Sequence, residues 1–146
     1  MQAPMVEEIK HDGQLLALIV WHQFRTQGIH FFTPDDLSQQ VAYISHPAGK
    51  LIEPHVHNPV PRAVSYTQEV LLIKRGRLRV DLYTPTQAYV KSRVLEAGDL
   101  ILLATGGHGF EVLEEIEMIE VKQGPFVGNH DKTRFAGISG EQARQE

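Results

Sequence analysis

The chain has 146 residues, a length that fits one globular domain of ordinary size. Hydrophobic residues make up 42% and charged residues 22%, so the composition excludes a disordered or collagen-like chain. The 18 acidic and 14 basic residues give a formal net charge of -4, and no cluster of basic residues indicates a nucleic-acid partner. We therefore expect one domain over residues 1–146, with a core at about 15–122 and a C-terminal loop or tail at about 126–146.

Membrane and thiol chemistry are also restricted by the sequence. The longest apolar run, Leu15 to Trp21, is far shorter than the roughly 20 residues that span a bilayer, so no membrane partner is expected. The N-terminus is acidic and lacks the apolar core of a secretory signal. Because the chain contains no cysteine, disulfides and thiolate sites are excluded, and a cytoplasmic location is expected.

Short runs of Val, Ile, Leu and Tyr recur along the chain between Gly, Pro and Asp residues, a pattern typical of an all-β protein. No segment keeps the apolar period of a helix over three turns, so little helix is expected. Strands are predicted within residues 15–21, 28–32, 40–45, 51–57, 69–73, 77–83, 88–95, 100–104, 108–113 and 115–122. This spacing leaves a sandwich, a jelly roll and a barrel open.

The strands at 69–73 and 77–83 are predicted to form a tight hairpin that turns at Gly76, a residue suited to positive φ. In the second arm of this hairpin, apolar residues alternate with charged ones. Such alternation predicts one buried and one solvated face, so Arg79 is expected to be a solvated charge.

Histidine is the residue type that points to chemistry, with 8 in the chain. His55 and His57 lie two residues apart in a strand-like stretch, so both imidazoles leave one face, with Cα atoms about 6 to 7 Å apart, and can share a metal ion. Glu53 lies on the same face, but its Cα is roughly 13 Å from that of His57 in an extended strand. Solvated or core histidines are the alternative interpretation of this pair.

The residues around this pair form two motifs. The first is a glycine, the two histidines, a glutamate and a turn glycine, and the second is a Gly-Asp turn followed by a histidine. The residues are Gly49, His55, His57, Glu69, Gly76, Gly98, Asp99 and His108. Over about residues 40–122 this arrangement resembles the cupin superfamily. The resemblance implies a single-domain double-stranded β-helix, or jelly-roll barrel.

The resemblance also implies that four side chains hold one divalent metal ion: His55, His57, Glu69 and His108. The interval from His57 to Glu69 is longer than the family usually has, so a long loop is expected between them. The segment EVKQGP and the pair Asp131-Lys132 are similar to small cupin metalloproteins encoded in bacterial surface-polysaccharide gene clusters. That similarity implies a sugar or nucleotide-sugar setting.

Three imidazoles and one carboxylate suit Mn, Fe, Co, Ni or Zn and leave open positions for a substrate. We therefore expect a metal-dependent small-molecule enzyme that acts on a sugar-derived or oxygenated metabolite, through isomerase, epimerase or dioxygenase chemistry. The alternative is a non-catalytic module that binds a metal and a small molecule. A homodimer is expected in either case.

Three further residues are predicted to line the substrate pocket. Arg62 and Tyr66 lie in the long loop, which must cross the mouth of the barrel, and Arg62 suits a carboxylate or phosphate unless it only solvates the loop. Phe110 shares strand parity with His108 and is predicted to form an apolar wall, although core packing explains it equally well.

Overall fold

The computed structural model describes residues 5–146 as an almost purely β structure, which confirms the all-β prediction. Within these residues there are eight strands, one short 3-10 helix and no α-helix. The strands are β1 (Val6–His11), β2 (Gln14–Val20), β3 (Gly28–Phe31), β4 (Ala42–Ser45), β5 (Glu69–Tyr83), β6 (Tyr89–Glu96), β7 (Leu100–Leu103) and β8 (Gly107–Lys122), and the 3-10 helix spans Gly140–Gln142. None of the helical structure in this range has the length and hydrophobicity needed to cross a bilayer.

Six of the strands form one curled, half-barrel sheet in the order β1-β2-β7-β5-β6, with β8 paired to β5. All of its ladders are antiparallel. The 15-residue β5 organises the sheet, because β7 and then β6 pair along one of its edges while β8 pairs along the other. Strands β3 and β4 form a separate two-stranded sheet.

The core lies inside the curl of the large sheet. Its side chains alternate along their strands, as the period of a strand requires. The main cluster consists of Ile9, Ala17, Ile19, Leu71, Ile73, Leu78, Val80, Leu82, Leu95, Ile101 and Leu103. A second cluster of Leu18, Val41 and Leu102 covers the opposite face of β2 and β7, which explains why both strands are continuously apolar.

The predicted hairpin at Gly76 is wrong, because Glu69–Tyr83 is one continuous strand. Gly76 has φ +94° and lies where the register between β5 and β8 shifts. A Cβ atom at this position would meet the carbonyl group of Glu115 on β8. The glycine therefore forms part of a bulge that bends the strand. A bulge and a turn both use a glycine with positive φ, so the sequence pattern alone does not distinguish them.

The predicted strand at 51–57 is also wrong. Residues 47–67 have no regular secondary structure and are exposed along their whole length, and we call this segment the arm. Pro54 interrupts the predicted strand and supplies no backbone N–H, so it weakens any ladder there. By contrast, β1 lies outside the predicted strands, because only Ile9 on it is buried.

Arg79 is buried rather than solvated, with 7% of its surface exposed. Its guanidinium donates to both carboxylate oxygens of Asp81, at 2.8 and 3.0 Å, and to Glu111 on β8. Hydrogen bonds to Asp81 raise the pKa of Arg79, so the guanidinium keeps its charge. Residues 138–144 cover this face of the sheet, where Ile138 N donates to the Tyr83 hydroxyl and Ser92 N to the Arg144 carbonyl.

We predict that Arg79→Gln destabilises the fold by about 3–5 kcal/mol, because it leaves the Asp81 carboxylate buried without its partner. The matched control is Arg75→Gln on the same strand, since Arg75 pairs with Glu117 at the exposed surface and its loss costs about 1 kcal/mol or less. Urea denaturation measures both values. Equal losses for the two variants would show that burial of the Arg79 pair is energetically unimportant.

We also predict that Gly76→Ala lowers the free energy of unfolding by about 2 kcal/mol more than Gly13→Ala. Both glycines have positive φ, but only at Gly76 does the added Cβ strike a neighbouring backbone. Thermal or urea unfolding gives the loss of stability for each variant. The difference between the two losses measures the effect of the close contact with Glu115, because both variants share the strain of a positive φ.

Candidate functional site

A pocket of about 630 Å³ opens between the start of β5, the start of β8 and the C-terminal segment at residues 131–137. Strand β5 contributes Glu69 and strand β8 contributes His108. The C-terminal segment contributes Asp131, Lys132 and Arg134, so two carboxylates, one imidazole and two cations line a single space.

Glu69 and His108 form the polar centre of this pocket, with 3.4 Å between Glu69 Oε2 and His108 Nε2. In the β5–β8 ladder Glu69 pairs with Lys122, whereas His108 pairs with Leu82 near the other end of β5. A flat strand would separate residues 69 and 82 by about 43 Å. The two side chains meet because β5 curls, and the bulge at Gly76 lies midway along it.

Glu69 is almost fully buried, with 7% of its surface exposed. A hydrogen bond from His108 lowers the pKa of Glu69 below its ordinary value, and this effect outweighs the opposing effect of burial. The positive charges of Lys122 and Lys132 lower the pKa further, as does any positive charge on His108. Glu69 is therefore a carboxylate at neutral pH.

The other predicted metal ligands, His55 and His57, lie on the exposed arm. Their rings are neighbours, with centroids 5.2 Å apart, and His55 Nδ1 lies 3.1 Å from the carbonyl oxygen of Glu53. Neither histidine lines the pocket that contains Glu69 and His108. The structure thus places the four predicted ligands as two separate pairs.

The three predicted pocket residues are distributed differently. Tyr66 lines the pocket, at the end of the arm nearest to β5. Arg62 lies on the exposed arm and is not part of the pocket wall. Phe110 lies beside His108, with ring centroids 5.4 Å apart, but is 40% exposed and faces neither the pocket nor the main core.

The donor types of the two pairs suit a divalent transition metal, but their positions do not form a four-ligand site within this one chain. Among residues 5–146, no three His, Cys, Asp or Glu side chains are grouped closely enough to hold a metal ion. Glu69 and His108 are two donor side chains, fewer than the four of the predicted site. The predicted four-ligand site stays a prediction.

Sequence reasoning missed the wall formed by the C-terminal segment. Phe135 packs edge-on against Tyr83, with centroids 5.0 Å apart, and Asp131 accepts a hydrogen bond from the Thr67 hydroxyl. Lys132 and Arg134 face the pocket as a result. The pair Asp131-Lys132 was the one available signal, but no periodicity predicts how a segment without regular structure packs.

The chain was compared with known proteins in three ways. A scan against protein-family models finds no match, and searches of curated proteins and of solved structures also find none. The resemblance to cupins therefore stays a prediction, and functional inference depends on the geometry of the pocket.

We predict that Glu69→Gln reduces the acid sensitivity of the fold. Because the folded-state pKa of Glu69 lies below its ordinary value, the carboxylate stabilises the fold fully above the unfolded-state pKa of about 4.3. That contribution is lost as the pH falls through the folded-state pKa. Urea unfolding from pH 7 downward should therefore show wild type and variant converging in acid, while the exposed-arm control Glu53→Gln follows wild type throughout.

Proposed function

We propose that this protein is a metal-dependent enzyme that acts on a small, oxygenated, anionic metabolite of the sugar-acid or sugar-phosphate type. The observation that carries the proposal is the Glu69–His108 pair in the wall of a pocket that also presents Lys132 and Arg134. The volume of about 630 Å³ falls within the usual range for small-molecule sites.

The charges of the pocket support an anionic ligand. Lys132 and Arg134 offer ammonium and guanidinium groups to a carboxylate or phosphate, and Arg134 suits two-point binding of such a group. An anionic ligand would therefore meet these two cations in the same pocket that contains Glu69.

The remaining lining supports a polyhydroxylated body for that ligand. Thr67 and Thr105 supply hydroxyl oxygens, which accept from sugar hydroxyls because their own protons are donated to Asp131 and to the Leu15 carbonyl oxygen. The rings of Tyr83 and Phe135 form an apolar surface beside them. A few placed polar groups on an apolar wall are typical of small-molecule sites.

Glu69 and His108 are the proposed metal donors of the pocket, with His55 and His57 as the further donors. A bound divalent ion of the Mn, Fe, Co, Ni or Zn series would supply Lewis-acid chemistry for isomerase or epimerase activity, and dioxygenase activity would need a redox-active member such as Fe. Glu69 holds a negative charge close to the substrate oxygens, and Lys132 and Arg134 orient the substrate. A cytoplasmic location remains part of this proposal.

The metal is tested by elemental analysis of protein purified without chelators or a polyhistidine tag. We expect close to one equivalent of a divalent transition metal per chain. Both Glu69→Gln and His108→Ala should weaken metal affinity about 10-fold or more, while Glu53→Gln on the arm should change it little. Wild-type protein that binds none of the five metals in a titration contradicts the proposal.

The ligand is tested by a thermal-shift screen of sugar phosphates, sugar acids, nucleotide sugars and keto acids. Hits should be weakened about 10-fold or more by Lys132→Met and Arg134→Met, each of which removes a charge-assisted contact. Lys10→Met on β1 is the matched control. Product detected by NMR that disappears on chelation supports an enzyme, whereas saturable binding without product favours the binding module.

A further inference from the structure

We infer that the arm, residues 47–67, crosses to a second copy of this chain and places His55 and His57 beside Glu69 and His108 of that copy. The metal-binding part of this inference rests on the proposed function. The exchange of arms itself rests on the exposure of the arm, the open edge of β8 and the division of the donors into two pairs.

The arm makes few contacts with the rest of its own chain. Within the described residues, the hydrogen bonds of residues 51–66 are limited to the contact between His55 and the Glu53 carbonyl oxygen. Leu51 and Val56 are 88% and 83% exposed, which is unusually high for apolar side chains in a folded protein. Pro54, Pro59 and Pro61 favour an extended backbone, so the arm resists collapse onto its own surface.

The base of the arm is fixed, which determines where the rest can go. Gln68 is buried and accepts hydrogen bonds from Ser38 Oγ and Gln39 N, and Thr67 donates to Asp131. From this anchor, ten residues of fully extended chain reach at most about 33 Å, so His57 can lie that far from the base of the arm. The arm is therefore long enough to bring its histidines to a second copy.

The second copy offers a matching surface on β8. Within the described chain β8 pairs with β5 alone, so one edge of this 16-residue strand has no backbone partner. Val112, Leu113, Ile119 and Val121 on β8 are between 41% and 54% exposed. A long, partly apolar edge is a template for an added strand, and an edge strand is where prolines are tolerated.

A second copy fits this surface better than an unrelated partner, because each copy has both the arm and the edge. Reciprocal exchange closes a two-fold dimer, and each arm adds about 20 residues to the interface, close to the 20–30 residues per side of a stable one. The exchange also unites two histidines with the one histidine and one carboxylate of the pocket.

The exchange is tested without metal, because the chain has no cysteine and accepts engineered ones cleanly. We expect Val56→Cys combined with Val112→Cys to yield a covalent dimer with a short bis-maleimide, seen on a denaturing gel. The matched control combines Val56→Cys with Glu8→Cys on β1, at the other end of the sheet, and should stay monomeric on the gel. A cross-link within one chain, or none at all, overturns the exchange.

The ligand assignment is tested by pairing two variants that each lack half of the site. His55→Ala/His57→Ala and Glu69→Gln/His108→Ala are co-expressed with different affinity tags, and the mixed dimer is isolated. Arm exchange rebuilds one of two sites, so the mixed dimer should hold half the wild-type metal, whereas closure within each chain gives none. Wild type paired with the histidine variant should hold half in either case and verifies the measurement.

The outcomes separate this inference from the proposed function. Cross-linked dimers from a protein that binds no metal support the exchange and contradict only the metal-dependent function. Metal in wild type with no interchain cross-link overturns the exchange and leaves the function standing. Metal in wild type, a cross-linked dimer and an empty mixed dimer overturn the placement of His55 and His57 in the second copy's pocket.

Discussion

The contact between Gly76 and the backbone of Glu115 is the constraint on which the rest of the structure depends. A side chain at residue 76 would strike the β8 carbonyl, so the two longest strands approach this closely only at a glycine. The bulge lets β5 curl, and the curl brings Glu69 within reach of His108 although they lie near opposite ends of one ladder. The candidate site thus depends on sheet curvature together with the short connection from Leu103, which pairs with Glu69, to His108.

The two faces of the curled strand β5 bury different kinds of side chain. Inside the curl, Leu78, Val80 and Leu82 bury apolar area, the main stabilising contribution of such a sheet. On the other face, Arg79 and Asp81 form a buried ion pair beneath residues 138–144. A buried pair of charges stabilises little by itself, but separating its partners is costly. The further bond from Arg79 to Glu111, its register partner on β8, connects this pair to the neighbouring strand.

Most of the strands could be predicted from the sequence, because the alternation of apolar and polar residues and the positions of turn residues reflect local backbone preference. β2, β6 and β7 fall where they were predicted, within one or two residues. Sequence reasoning failed at Gly76, where a turn and a bulge require the same backbone angle, and at Arg79, whose cover arrives from more than 50 residues away. Both failures concern tertiary packing, which a local pattern does not encode.

The candidate site divides in the same way. Glu69 and His108 were singled out by their motifs, and the structure brings them together. Lys132 and Arg134 were missed, because they lie on a segment whose position is set by Phe135 and Asp131 contacts rather than by periodicity. The histidines of the arm were predicted on a strand that does not form in this chain, since Pro54 interrupts it and no neighbouring strand pairs with it.

Tyr83 connects the C-terminal segment at residues 131–137 to the large sheet. Its ring is buried at the end of β5 and packs against Phe135. Its hydroxyl oxygen accepts a hydrogen bond from Ile138 N. Together with the hydrogen bond from Thr67 to Asp131, this side chain attaches the cationic wall of the pocket to the sheet. Because residues 131–137 belong to neither core cluster, substitutions among them that keep Asp131 and Phe135 should change the charge and shape of the pocket while leaving the sheet beneath intact.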